Sequence, residues 1–161
     1  MAAIKIEQVF FMLTFGADAN YRADLEDQET YLERESGDLV YTTSNPFMAE
    51  SLMGAAAVED LLEATALVNA NPEKYLEIES MGHGQHHSVL ENFVCSKWTT
   101  EQARLDNASS VYYSRKSIGF WLKNVGDDGA TDAYFAFKER ENVRLAEEFL
   151  RKNGVTDFVW C

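Results

Sequence analysis

Every histidine of the chain lies in the segment "SMGHGQHHSVLENF", residues 80–93, as His83, His86 and His87. Neutral imidazole is a common ligand of transition metals, so two of these histidines together with Glu79 or Glu91 would suit Zn²⁺ or Ni²⁺. The geometry argues against a dedicated site, because adjacent positions diverge by about 100° on a helix and no cysteine lies beside them to complete four ligands. The pattern therefore favours an exposed, polar start of a helix over a metal site, and it predicts no cofactor.

A second candidate site interleaves aromatic and basic side chains in "VYYSRKSIGFWLKN", residues 111–124. Its cations are Arg115, Lys116 and Lys123. Aromatic platforms beside cations bind single-stranded nucleic acid, but the same residue types at helical spacing also form a buried amphipathic helix. Because the chain carries a formal net charge of −13, we favour a core or interaction surface here. Nucleic-acid binding is the weakest of three functional hypotheses.

The other sequence patterns that are typical of catalytic sites give little support for an enzyme. Glu33 with Glu35, and Glu77 with Glu79, have the two-residue period of one strand face, where neighbouring carboxylates raise a pKa for acid–base work. A solvated strand face is the commoner reason for such pairs. The sequence contains neither a phosphate-binding loop nor a G-x-S-x-G nucleophile turn. We therefore expect a non-enzymatic protein, and the competing hypothesis is a metal-dependent enzyme or metal-binding protein that uses the histidine cluster.

The acidity of the chain is concentrated in its first part. Residues 1–96 hold 17 acidic and 4 basic side chains, whereas residues 97–161 hold 10 of each. An acidic surface repels phosphate backbones and attracts basic protein surfaces. The leading hypothesis is therefore an acidic protein-interaction or regulatory domain, which binds a protein partner or associates with itself.

The composition is that of a globular chain, since 46% of its 161 residues are apolar. This length suits a single domain, with an acidic α/β part over 1–96 and a helical, charge-neutral part over 97–161. The N-terminus shows no signal-peptide pattern, and no apolar run nears the roughly 20 residues that span a bilayer. We therefore expect a cytoplasmic protein without a membrane partner.

The elements of the first part alternate between helix and strand. Residues 4–15 place Ile6, Val9, Phe10 and Leu13 at helical spacing, which predicts a first helix with these side chains in the core. A β-rich pair of runs follows, and then a long helix and a further strand in "KYLEIES" lead into the histidine segment. The next helix is predicted from the serine that follows the histidines onward.

The hairpin and the long helix have clear local signals. Runs at about 30–34 and 39–43 flank Gly37, which supplies the positive φ of a tight turn and predicts a β-hairpin. Asn45, followed by proline, caps a helix that continues through Val68.

The second part is predicted to be mostly helical, with helices from about residue 100, over 109–124 and over 132–153. The last is the clearest, because Glu147 precedes Arg151 by four residues in the favourable order. Gly154 closes it with a left-handed cap, and the apolar ending "TDFVWC" is expected to dock on the fold. The predicted fold class is α+β: a small antiparallel sheet, made of the hairpin plus one further strand, packed with a mostly helical C-terminal half.

Several segments form a familiar series of turns and core residues, notably "YLERESGDLVY", "EKYLEIES", "HSVLENFV" and "SIGFWLKN". The key positions are Tyr31, Leu32, Gly37, Phe93, Val94, Gly119, Trp121, Phe149, Leu150, Gly154 and Val155. This pattern resembles the UPF0158 family of uncharacterised bacterial proteins. The chain departs from it at Ser36, where threonine is usual, at Trp121 with Leu122, and at Phe149, where the family has tryptophan. The resemblance implies a fold of this kind, with the helix over 46–70 as an elaboration, and no assigned activity.

Overall fold

The computed structural model describes residues 2–17, 28–97 and 130–161. The chain divides into two compact units, one formed by Met1–Met81 with Ala146–Cys161 and the other by Gly82–Leu145. All strands of the described residues lie in the first unit, and the described part of the second unit is helical. Helices with a small antiparallel sheet of three strands make this an α+β fold, as the sequence predicts.

In chain order the described elements are β1 (Ile4–Ile6), α1 (Gln8–Phe15), β2 (Gln28–Glu33), β3 (Leu39–Thr43), α2 (Pro46–Met53), α3 (Ala55–Ala70), a 3₁₀ turn (Pro72–Lys74), β4 (Tyr75–Glu77), α4 (His83–Lys97), α5 (Ala130–Lys152) and β5 (Phe158–Trp160). Within the described ranges, none of the helices combines the length and the apolar character that crossing a bilayer requires.

The three-stranded sheet is built on the predicted hairpin. Strands β2 and β3 pair antiparallel on either side of Gly37, whose φ is +84°. Strand β4 pairs antiparallel with the other edge of β2, so the strand order is β3-β2-β4. Leu32 lies at the centre, opposite Leu39 on one side and Leu76 on the other. The hairpin and the further strand are therefore confirmed.

The two ends of the chain meet in a separate sheet of two strands. Strand β1 pairs in parallel with β5, with Ile4 opposite Phe158 and Ile6 opposite Trp160. The expectation that the apolar ending docks on the fold is confirmed. The prediction of a helix from residue 4 is wrong at its start, because pairing with the opposite end of the chain holds this segment extended.

Helix α1 buries a different face from the predicted one. Phe11 is fully buried, and its ring centroid lies 5.4 Å from that of Trp160. Thr14 Oγ1 donates a hydrogen bond of 3.0 Å to Thr30 Oγ1 in β2. The large apolar side chains that α1 leaves exposed are Val9, Phe10 and Leu13. Of the predicted core residues only Ile6 is buried, and it lies in β1.

The predicted long helix is divided into α2 and α3. Asn45 Oδ1 accepts a hydrogen bond of 3.3 Å from the backbone N–H of Met48, which confirms the predicted cap. Gly54 then adopts a φ of +87°. A right-handed helix cannot continue through such a residue, so α2 ends at Met53 and α3 begins at Ala55. The two helices share a small buried cluster of Ala49, Val58 and Leu61.

The closing helix and its cap agree with the sequence prediction. Gly154 has a φ of +86°, and the backbone N–H of Val155 donates to the carbonyl oxygen of Leu150 at 2.9 Å. Arg151 Nη2 lies 3.2 Å from Glu147 Oε2, which is the predicted ion pair. The other oxygen of this carboxylate accepts a hydrogen bond from the Trp160 indole at 3.0 Å.

In the second unit, helix α4 packs an aromatic side chain against the first half of α5. The ring of Phe93 lies 5.3 Å from that of Tyr134 and 5.6 Å from that of Phe137, measured between centroids. The helices predicted from about residue 100 and over 109–124 lie outside the described residues.

Candidate functional site: an acidic helix pair

The histidine cluster belongs to the first turns of α4. This helix begins at His83, five residues before the predicted start at Ser88. The backbone N–H of Gly82 donates to Gln85 Oε1 at 3.2 Å, and Ser88 Oγ donates to the Gly84 carbonyl at 2.9 Å. The segment is thus the polar start of a helix, although the helix takes in all three histidines instead of following them.

The metal hypothesis stays a prediction. The side chains of His83 and His87 lie outside what the structure describes, and His86 is half-buried. Among the side chains that are described, no three from His, Cys, Asp or Glu are arranged to hold a metal ion. Native mass spectrometry before and after a chelator would decide whether the untagged protein carries a stoichiometric metal.

The basic candidates Arg115, Lys116 and Lys123 fall in the gap between 97 and 130, outside the described residues. The nucleic-acid hypothesis therefore also stays a prediction.

The sequence predicts that the two carboxylates of each pair lie on one strand face, but the structure does not show this arrangement. Strand β2 ends at Glu33 and β4 ends at Glu77, so Glu35 and Glu79 each lie beyond the strand. Glu33 Oε2 instead accepts a hydrogen bond of 2.6 Å from Ser36 Oγ within the hairpin turn. This contact supports the turn and does not arrange two carboxylates for proton transfer.

Tyr31 is the most perturbed titratable side chain of the described sheet. Its hydroxyl donates a hydrogen bond of 2.8 Å to Glu29 Oε2, and Glu77 is its register partner on β4. Burial is the largest cause that raises the pKa of Tyr31 to about 12, followed by the hydrogen bond to Glu29 and by the negative charges of Glu29 and Glu77. Burial, together with the neighbouring acids, therefore holds this tyrosine in its neutral form.

A pH-dependent stability follows from Tyr31. Because its pKa lies near 10.0 in the unfolded chain and about 12 in the fold, its contribution is intact below pH 10 and is lost as the pH rises to about 12. Urea unfolding should show the wild type losing stability more steeply than Tyr31→Phe over this interval. Equal slopes for the two proteins would contradict the raised pKa.

The most distinctive surface lies on α2 and α3, which we call the acidic helix pair. Residues 35–73, which include both helices, contain seven acidic side chains and no lysine or arginine. Four of these acids lie on the helices, and all four are exposed: Glu50, Glu59, Asp60 and Glu63. No described lysine or arginine forms an ion pair with any of them.

The spacing of these acids works against the stability of α3. Glu59 and Glu63 are four residues apart, and Asp60 and Glu63 are three apart, so each pair meets on the helix surface. Like charges at these spacings each cost about 0.2 to 0.5 kcal/mol of helix stability. An exposed helix that carries this repulsion, with no cation on the same helix, is a candidate for binding cations from outside.

Helix α5 arranges two of its acids differently from α3. Arg144 Nη2 lies 3.1 Å from Glu141 Oε2, and Arg151 forms the ion pair with Glu147 described above. Two acids of α5 are thus paired with an arginine one turn later, whereas neither α2 nor α3 contains a basic residue.

Reversing one charge of α3 should stabilise the fold. Glu63→Lys places a cation one turn after Glu59 and Asp60, turning two repulsive pairs into attractive ones. We expect the free energy of unfolding to rise by about 1 kcal/mol, measured by urea unfolding at low salt. Glu73→Lys, an exposed acid outside both helices, serves as the control and should change little. A loss of stability in Glu63→Lys would contradict the like-charge argument.

The acidic helix pair also exposes large apolar side chains. Phe47, in the first turn of α2, is 87% exposed and has Glu50 three residues further along the helix. The other exposed apolar side chains are Met48, Met53, Leu62 and Leu67. Methionine is flexible and polarisable, which suits it to surfaces that adapt to a partner. The helix pair thus combines negative charge with apolar contact area.

The inner side of α3 packs against the sheet, so its outer side faces away from the core. Val58, Leu61 and Val68 are buried. Thr65 Oγ1 donates to the Leu61 carbonyl at 2.6 Å and accepts from the backbone N–H of Thr43 in β3 at 3.2 Å. By the helical period, the side opposite to these residues carries Ala56, Glu59, Asp60, Glu63 and Leu67. We call these five exposed residues the α3 outer face.

The exposed face of α1 is also apolar, but the helix itself carries no acidic side chain. Val9, Phe10 and Leu13 form it, and the helix Gln8–Phe15 contains no charged residue. This face therefore does not define the charge of a partner, whereas the acidic helix pair does.

No protein-family model, curated protein or solved structure matches the chain. The fold and the surface define the molecule as an α+β protein with an exposed acidic helix pair, and the resemblance to the UPF0158 family stays a prediction. The sequence interpretation treated residues 46–70 as an elaboration and missed this surface. The signal that would have found it is the absence of any basic residue over 35–73.

Proposed function

We propose that this protein is a non-enzymatic interaction domain that binds a basic protein partner through the acidic helix pair. The observation that carries the proposal is the set of exposed acids on α3, which repel one another and have no cation on their own helices. A partner that supplies lysine or arginine converts this repulsion into attraction. The local acidity also speeds the encounter with such a partner at low salt.

The exposed apolar side chains support the same proposal. Charged pairs at the rim of an interface contribute little affinity, whereas buried apolar anchors contribute most of it. Phe47, Met48 and Leu67 offer such anchors beside the acids. A surface with charge alone would bind cations without selectivity, and the apolar contacts add the requirement for a protein surface.

The test is the binding of a fluorescein-labelled lysine–leucine peptide, followed by fluorescence anisotropy at low and physiological salt. We expect binding that weakens with salt, and an affinity at least about tenfold lower in Glu59→Lys/Glu63→Lys.

The matched control is Glu35→Lys/Glu73→Lys, which changes the net charge equally at two exposed acids outside the helix pair. It should retain most of the affinity. Equal losses in the two double variants would mean that only the overall charge matters, and this result would overturn the proposed site.

A further inference from the structure

We infer that the partner segment recognised by the α3 outer face is a basic amphipathic helix, an inference that rests on the proposed function. The first argument is the pattern of the face itself. Glu59, Asp60 and Glu63 lie between Ala56 and Leu67, so acids occupy the middle of the face and apolar groups its ends. A complementary segment must therefore carry cations and apolar side chains on one side.

The dimensions of the face fit a short helix. From Ala56 to Leu67 the helix rises about 16 Å, which is roughly three turns. Glu59 and Glu63 are separated by one turn, about 6 Å along the axis. Lysines or arginines four residues apart on a second helix repeat at the same distance, so several pairs can form at once. The small side chain of Ala56 allows the backbone of the second helix to approach closely.

The backbone of α3 excludes the main alternative, an added β-strand. A strand binds an extended peptide by offering unpaired N–H and C=O groups at a sheet edge. In the middle of α3 these groups are used within the helix, so an extended partner would find no backbone donors or acceptors on this face. A helical partner satisfies its own backbone and needs only side-chain contacts.

Leu67 supplies the apolar contact that distinguishes an amphipathic partner from a merely basic one. It is 54% exposed and lies four residues after Glu63, one turn along the same face. A partner helix with leucine on the side of its cations would cover this side chain, whereas a polybasic chain without an apolar stripe would leave it in water.

The experiment compares two labelled peptides of identical lysine and leucine composition. In the first, leucines recur every three or four residues and form one helical face; in the second, the order is shuffled so that no face forms. We expect the wild-type protein to bind the first peptide at least about tenfold more tightly, and circular dichroism to show that this peptide becomes helical on binding.

Two variants locate the binding surface. Leu67→Ala should lose about five- to tenfold in affinity for the amphipathic peptide and little for the shuffled one. Leu13→Ala removes a leucine that is also more than half exposed, from α1, and should leave both affinities unchanged. Because both leucines are exposed, neither variant should unfold the protein.

The outcomes separate the two proposals. If both peptides bind equally and both are lost in Glu59→Lys/Glu63→Lys, the acidic site stands and the helical partner is overturned. If Leu67→Ala binds the amphipathic peptide as well as the wild type does, the α3 outer face is overturned as the place of contact. If neither peptide binds, the proposed function fails, and this inference fails with it.

Discussion

Replacing Gly37 by alanine is expected to lower the free energy of unfolding by about 2 to 5 kcal/mol. The φ of +84° at this turn costs an L-residue about 1 to 2 kcal/mol. A Cβ at this position would also overlap the backbone carbonyl of Lys5, which belongs to β1 and cannot move aside as a side chain would. Relieving such a clash typically costs a further 1 to 3 kcal/mol or so. Urea unfolding followed by circular dichroism measures the loss.

Gly54→Ala is the matched control for this experiment. Gly54 has nearly the same φ, +87°, but no atom lies within 4 Å of where its Cβ would stand. Only the backbone cost should remain, about 1 to 3 kcal/mol, because φ +87° with ψ 162° is a conformation that essentially only glycine adopts. A larger loss in Gly37→Ala than in Gly54→Ala therefore reports the close approach of the hairpin turn to β1. Equal losses would mean that this approach is absent.

Truncating Phe11 to alanine is expected to cost about 3 to 5 kcal/mol, the usual range for a fully buried phenylalanine. Its side chain is 0% exposed, and its ring contacts those of Phe15 and Trp160, with centroids 5.9 and 5.4 Å away. The cavity would open where α1 meets the terminal strand β5. The variant should therefore loosen the docking of the chain end, seen as faster amide exchange at Phe158–Trp160.

The neighbouring Phe10 provides a control of the same residue type in the same helix. It is 48% exposed, so Phe10→Ala should change the free energy of unfolding by less than about 1 kcal/mol. The helical period in the sequence predicts the opposite order, with Phe10 in the core. If Phe10→Ala proves the more damaging variant, the orientation of α1 described here is wrong.

Variants of the proposed binding surface should affect stability and binding in opposite directions, whereas the core variants above affect stability. The single reversal Glu63→Lys is expected to stabilise the fold while it weakens the proposed partner binding. A site that gives up stability for binding shows this opposite response, because selection on the fold alone would remove the repulsion between Glu59 and Glu63. The paired arginines of α5 show that this chain elsewhere uses the stabilising arrangement.

Several features could be predicted because their causes are local. Gly37 between two β-rich runs determined the hairpin, Asn45 with the following proline determined where a helix begins, and Gly154 determined where the last helix ends. Each of these signals acts on the residues next to it in the sequence, through a backbone dihedral angle or a single capping hydrogen bond. The concentration of acid in the first part was likewise readable from the residues alone, and it pointed to an interaction protein.

Other features were decided only by contacts between distant segments. Whether Ile4–Ile6 became helix or strand depended on Phe158–Trp160, which lies at the other end of the chain. Which of the two apolar faces of α1 is buried depended on the positions of Thr30 and Trp160, which contact Thr14 and Phe11. The α3 outer face is exposed because Thr65 and its buried neighbours place the opposite side of the helix against β3. Local periodicity shows that a helix has faces, but burial is a property of what the rest of the fold places against them, so only the tertiary structure could choose the face that remains in water.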